Sequence, residues 1–246
     1  MAAIDRVVAA DAAPRTAAFR LRAVNKWYGH FHVLRDVDLH AASGERIVLW
    51  GPSGSGKTTL LRCLAGLEPV ESGFVEISGS RKPVGPLSEP RPTRGVAMVF
   101  QKSTLFLHMR VIDNLTLGPR DVRRMSRRDA EAIAMRHLGT LRMTELAQHY
   151  PVQLSGGQQQ RAEIARALCM DPSMVLFDEP TAALDPELRG DVAALIGEVA
   201  DAGRTVVVAT HDEQLVRGLA PRIVLMADGA IVGETNAAAH FGPIAS

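Results

Sequence analysis

The sequence predicts an α/β domain with a largely parallel sheet, an antiparallel β subdomain and a helical insert. Three observations carry that reading. Short apolar runs such as ERIVLW (Glu45–Trp50), MVLF before Asp178, TVVVAT (Thr205–Thr210) and RIVLMA (Arg222–Ala227) are interleaved with segments of helical period. Strands alternating with helices build a parallel sheet covered on both faces. GFVEISG (Gly73–Gly79) instead alternates apolar and polar residues, the pattern of an antiparallel strand with one wet face. Between Lys102 and about Val152 strand patterns vanish.

Element by element, residues 1–18 are Ala-rich and without period, a loose N-terminal tail. From Phe19 two short strand-like stretches lead to ERIVLW, whose unbroken apolar run suits a strand buried on both faces. GPSGSGKTT comes next, then the helical LLRCLAGL. Ser80–Arg94 holds four prolines and several charges and reads as a surface loop, and GVAMVFQ (Gly95–Gln101) as another buried strand. In the insert, placed at about residues 102–158, SRRDAEAIAMRHL (Ser126–Leu138) has a helical period with Ser126 as its N-cap. A helix over Glu187–Ala202 lies between MVLF and TVVVAT. The domain proper is 19–235, and 236–246 form a short tail.

Composition narrows the function. The chain has 246 residues with 46% hydrophobic and only 4% aromatic, so aliphatic side chains fill the core. A net charge of +1, from 28 basic and 27 acidic residues, argues against the basic stripe of a general nucleic-acid binder. Cys63 and Cys169 are too few for a disulfide framework and read as reduced cytosolic thiols. No apolar run is long enough to span a bilayer, and the N-terminus lacks an apolar signal core, so the expected location is cytosolic.

Gly51, Pro52, Ser53, Gly54, Ser55, Gly56, Lys57 and Thr58, followed by Thr59, fit G-x-x-x-x-G-K-S/T. By itself this is a Gly/Ser-rich turn with a lysine; the strand before it and the helix after it make it a phosphate cradle. The glycines let backbone N–H groups turn inward, and the following helix adds its positive end. Lys57 reaches the β- and γ-phosphates and the Thr58 hydroxyl serves Mg²⁺. The apolar strand ending in Asp178 and Glu179 places two acids at the carboxyl edge of the sheet, where ligands of open α/β sheets bind. Asp178 is the expected Mg²⁺ partner through its water shell and Glu179 the group that polarises an attacking water. A second helix opens at LSGGQQQR (Leu154–Arg161). There Ser155 and Gln158 form a capping box, and Gly156 and Gly157 leave the helix end open to an anion.

LSGGQQQR resembles the signature of ABC transporter ATP-binding subunits, which simple P-loop kinases lack. The resemblance runs from about Phe19 to Glu234 with several motifs in the family's order. It implies a P-loop NTPase (RecA-like) core and a head-to-tail dimer, each ATP lying between the Lys57 loop of one subunit and Ser155–Gln158 of the other. It further implies that Tyr28 in KWYG stacks on adenine and that Gln101, ending MVFQ, touches Mg²⁺ and reports to a membrane subunit. His211 in ATHD contacts the γ-phosphate, and Asp185 in TAALDP crosses between subunits. KWYG, LLRCLAGLE, MVFQKSTLF, DNLTLGP and YPVQLSGGQQQR look most like the ATPases of polar amino acid importers. The expected partners are integral permease subunits, a substrate-binding protein indirectly, and a second copy or a paired ATPase, at the cytoplasmic face of the inner membrane. Their docking surface is expected around Lys102–Leu117, where Leu105, Phe106, Leu107 and Met109 are more apolar than a plain loop needs. Leu107 departs from the family, which has proline there, and the Ser80–Arg94 loop replaces a more regular connection. Two other readings share the catalytic motifs: an exporter or lipoprotein-release ATPase, and a soluble ATPase acting on DNA or ribosomes. The single cassette and near-neutral charge weigh against the second.

Overall fold

The computed structural model describes residues 17–82, 84–85, 89–182, 184, 186–219 and 221–242. The tail before Ala17, Asp185, part of the Pro-rich loop and residues 243–246 lie outside the described residues. Strands β1 (Ala17–Tyr28) and β2 (Phe31–Ala42) form an antiparallel hairpin. After β3 (Arg46–Trp50) and α1 (Lys57–Ala65), β4 (Ser72–Ile77) and β5 (Ser80–Arg81) extend that hairpin into a sheet of order β2-β1-β4-β5. Next come β6 (Val96–Val99) and the insert helices α2 (Val111–Asp121) and α3 (Arg127–Thr140), then α4 (Gly156–Leu168). The chain continues through β7 (Met174–Asp178), α5 (Pro186–Asp201), β8 (Thr205–Ala209), α6 (Glu213–Leu219), β9 (Arg222–Ala227), β10 (Ala230–Asn236) and α7 (Ala237–Phe241). The second sheet has order β10-β9-β3-β8-β7-β6, parallel from β9 to β6, with β10 antiparallel at one edge.

The apolar runs are explained by two cores on opposite faces of this sheet. Successive strand residues point to opposite faces. Val48, Val175, Phe177, Val206 and Val208 join a core with α4, α5 and α6, while Ile47, Leu49, Leu176 and Val207 pack with α1 and the β1–β2 sheet. In the insert, the buried Asn114 braces the preceding loop. Its amide donates to the carbonyls of Phe106 and Met109 at 3.1 Å, and its Oδ1 accepts from the Phe106 N–H at 2.8 Å. The Ser126 hydroxyl accepts from the Asp129 N–H, capping α3 as its sequence implies.

Several expectations are corrected. The stretches after Phe19 are long, twelve residues each. Ala23 (φ 46°) and Asp36 (φ 43°) interrupt the alternation with register shifts, so the pattern reads shorter than the strands are. GVAMVFQ supplies β6, which is an edge strand with three of its four residues only half buried. The described part of Ser80–Arg94 lies at the surface apart from Thr93, which is buried and bonds the Leu64 and Ala65 carbonyls at the end of α1. The C-terminal tail is structured through Gly242. In α7 the Phe241 ring meets the edge of Trp50 at 5.1 Å, and Arg217 donates to the carbonyls of Phe241 and Gly242 at 2.9 Å.

Candidate functional site

Four neighbouring parallel strands, β3, β8, β7 and β6, each end at the same carboxyl edge of the sheet. The strand ends and the segments that leave them carry Gly51–Thr58, His211, Asp178 with Glu179, and Gln101, so residues far apart in sequence meet. A cavity of about 690 Å³ is lined by Tyr28, Phe31, Val33, the phosphate loop, Gln101, Glu179 and His211. Phe31 and Val33 belong to none of the motifs. Phe31 is the cross-strand partner of Tyr28 across the Gly29-His30 turn, and the run KWYGHF holds the only hint of it.

The cradle explains its own composition. A Cβ on Gly51 would lie 2.1 Å from the Met226 carbonyl oxygen, so no side chain fits where β3 leaves the sheet. Gly56 has φ 95° at the N-cap of α1, a left-handed conformation that favours glycine, and among the described residues no side chain caps that end. The first turn itself carries no acid, so an anion in the cavity can complement its N–H groups and helix dipole. Lys57 is buried, and its Nζ donates to the carbonyls of Gly51 at 2.8 Å and Pro52 at 2.9 Å. Burial pushes its pKa below the ordinary lysine value, with Glu179 and then Asp178 pulling the other way.

Facing the cradle, the Thr58 hydroxyl donates to Asp178 Oδ1 at 2.8 Å. Asp178 is almost wholly buried, and that burial raises its pKa above the usual carboxylate range against the Thr58 hydrogen bond. Glu179 has φ 48°, a strained conformation for a side-chain-bearing residue, and its N–H is held by the Ala209 carbonyl at 2.8 Å. This turn out of β7 sets the carboxylate against His211. The His211 Nδ1 hydrogen-bonds Oε1 at 3.0 Å and also lies 2.9 Å from Oε2, which makes no hydrogen bond among the described residues.

The LSGG helix end is elsewhere. Ser155 Oγ accepts from the Gln158 N–H at 3.3 Å and Gln158 Oε1 accepts from the Ser155 N–H at 2.9 Å, the reciprocal capping box. Ser155 and Gly156 are exposed, and none of Ser155–Gln158 lines the phosphate-loop cavity. Asp185 lies outside the described residues. Among these, no helix is long and apolar enough to cross a membrane.

Known proteins resemble this chain in sequence and in fold. The family model described as ABC transporter matches residues 34–182. The chain is 46% identical over 219 residues to the glutamate/glutamine/aspartate/asparagine transport ATP-binding protein BztD of Rhodobacter capsulatus, covering 89% of this chain and 83% of that protein. It is 43% identical over 221 residues to the glutamate/aspartate import ATP-binding protein GltL of Escherichia coli K12, covering 90% and 92%. Among solved structures, the dimeric post-hydrolysis form of the ATP-binding cassette MJ0796, bound to ADP and Pi, superposes with a TM-score of 0.79 at 32% identity, covering 89% of this chain and 98% of that one.

Proposed function

The chain belongs to the ABC transporter ATP-binding family, and on that premise we propose that it is the ATP-hydrolysing subunit of an importer of polar amino acids. One observation carries the hydrolytic part: the Glu179–His211 pair stands in the same cavity as the Lys57 cradle. The substrate class is supported by relatives whose names specify transport of glutamate, glutamine, aspartate and asparagine.

Hydrolysis of ATP here is positioning plus charge stabilisation. The backbone N–H groups of Gly51–Thr58 and the Lys57 ammonium hold the phosphates. Tyr28 stacks on adenine. Glu179, turned out of the sheet by its backbone, orients the attacking water and takes its proton, and His211 bonds the γ-phosphate. Thr58, Asp178 and Gln101 fit a hard cation, since a buried carboxylate beside a hydroxyl gains from a neighbouring positive charge. Mg²⁺ held there would neutralise charge developing on the phosphates. The Ser155–Gln158 helix end, with Ser155 and Gly156 exposed, serves the second copy's ATP, so closure follows nucleotide binding and phosphate release allows opening.

The permease subunits dock at the cytoplasmic face, in a groove of about 1040 Å³ between β6, α2 and α4 whose lining includes Val96, Met98, Phe106, Leu115, Val122 and Met170. Next in sequence to Phe106, Leu107 is 59% exposed, an apolar surface of the kind that marks an interface. The groove is wired to the signature helix. Glu163 of α4 accepts from the Thr104 N–H and hydroxyl, and Arg166 donates to the Thr104 carbonyl at 2.8 Å. Leu107→Asp is therefore expected to cut recovery of co-purified permease about tenfold or more while the isolated chain binds ATP as before.

Pull-down of the tagged chain from membranes, followed by uptake of acidic, amide and basic amino acids in a strain lacking its gene, tests the whole reading. Restored uptake of an acidic or amide amino acid with wild type, and none with Glu179→Gln, is the expected result. Equal restoration by Glu179→Gln, or a partner that extrudes its substrate, overturns it.

A further inference from the structure

The hairpin that presents Tyr28 conceals a charged residue under the ring. Lys26 is 4% exposed. Its Nζ lies 3.0 Å from Glu71 Oε1 and 3.6 Å from Glu68 Oε2. It also lies 5.0 Å from the centroid of the Tyr28 ring. Glu71 Oε2 in turn accepts from the Trp27 N–H at 3.1 Å, so the same carboxylate anchors both the lysine and the backbone just before Tyr28. Tyr28 remains 43% exposed and lines the phosphate-loop cavity. Burial alone would push the Lys26 pKa down. The hydrogen bond and attraction of Glu71, together with Cys63 and Glu68, more than reverse that, so the group beside the ring is a held cation.

An ammonium that only needed neutralising would be satisfied by two carboxylates; this one also faces an aromatic quadrupole, an attraction that fixes ring orientation. We propose that Lys26 is a positioning residue for the nucleobase: it holds the Tyr28 ring from below so that the ring's open face is set to receive adenine. The proposal rests on Tyr28 being the base-stacking residue. A ring already held loses less freedom on stacking, so removing the hold weakens binding of ligands that carry a base and leaves binding of a bare polyphosphate alone.

The test compares the affinities of ATP and inorganic tripolyphosphate, each with Mg²⁺, for the full chain. Lys26→Met is expected to weaken ATP roughly 3- to 10-fold and tripolyphosphate not at all, with Lys26→Arg retaining most of the ATP affinity. In a Tyr28→Ala background, Lys26→Met should cause no further loss, because the two residues act through one ring. Lys26→Met strands two carboxylates, so the double variant Lys26→Met/Glu71→Gln, which removes one charge of each sign, guards against misfolding and should show the same ATP-only loss. Equal weakening of both ligands, or an additive loss on top of Tyr28→Ala, overturns the proposal. A loss of ATP affinity in Tyr28→Ala with none in Lys26→Met overturns the positioning role and leaves base stacking standing. No loss in Tyr28→Ala overturns both.

Discussion

Glu179→Gln is expected to slow phosphate release from ATP by about 10²–10⁴-fold, the usual cost of losing a general base, while ATP still binds and the protein accumulates as a closed dimer. The substitution keeps the shape of the side chain and an oxygen to accept from His211, which now stands 3.0 Å from Oε1. What it removes is the ability to take a proton and one negative charge facing the triphosphate. The backbone at Glu179, with φ 48° and its N–H on the Ala209 carbonyl, is untouched, so the water is still oriented but not deprotonated. Fewer negative charges at the seam also favour closure, and with hydrolysis stalled nothing reopens it. Size-exclusion chromatography with Mg²⁺ and ATP, alongside a phosphate-release assay, reads both consequences. Undiminished turnover would end the assignment of Glu179 as base, and a persistently monomeric Glu179→Gln protein would end the picture of ATP held between two copies.

What could be read from the chain alone follows how local each feature is. The phosphate loop, the Ser126 cap and the Ser155–Gln158 box are contacts within one turn of helix, so spacing reveals them. The apolar runs are legible because both faces of β3, β7 and β8 are buried in separate cores. The alternation fails as a guide in β1 and β2, where left-handed residues at Ala23 and Asp36 shift the register. It gives no guide at the C-terminus either, where α7 is held by Trp50 and Arg217 in addition to its Asn236 cap. The site has the same division. Letters pick out Lys57, Asp178, Glu179 and His211, yet their meeting depends on strand order β3-β8-β7-β6, which no spacing encodes. Phe31 enters the cavity only through its pairing with Tyr28, and Lys26 meets Glu71 across forty-five positions. Glu163 in α4, reaching Thr104, carries no local signal of that contact either.

Lys57→Ala is expected to weaken ATP binding about 10- to 100-fold, the worth of one or two charge-assisted hydrogen bonds to phosphate, and to reduce turnover further. Lys57 donates to the carbonyls of Gly51 and Pro52, so its ammonium is held against the phosphate loop where it lines the cavity. Burial disfavours its charge, and the nearby Glu179 and Asp178 counter that; a triphosphate does the same more strongly, which makes binding and charging of this site mutually supportive. In the transition state the departing phosphoryl group carries spread negative charge, and losing a fixed cation at that point typically costs about 10²–10³ in rate beyond binding. Lys57→Arg separates charge from fit. The guanidinium keeps the positive charge but is planar and larger, and it cannot place one compact ammonium against both the Gly51 and Pro52 carbonyls, so Lys57→Arg should recover little activity. Calorimetric titration with ATP and a phosphate-release assay on the three proteins check this. Full activity in Lys57→Ala would remove the cradle from the mechanism, and full activity in Lys57→Arg would reduce the role of Lys57 to bulk charge.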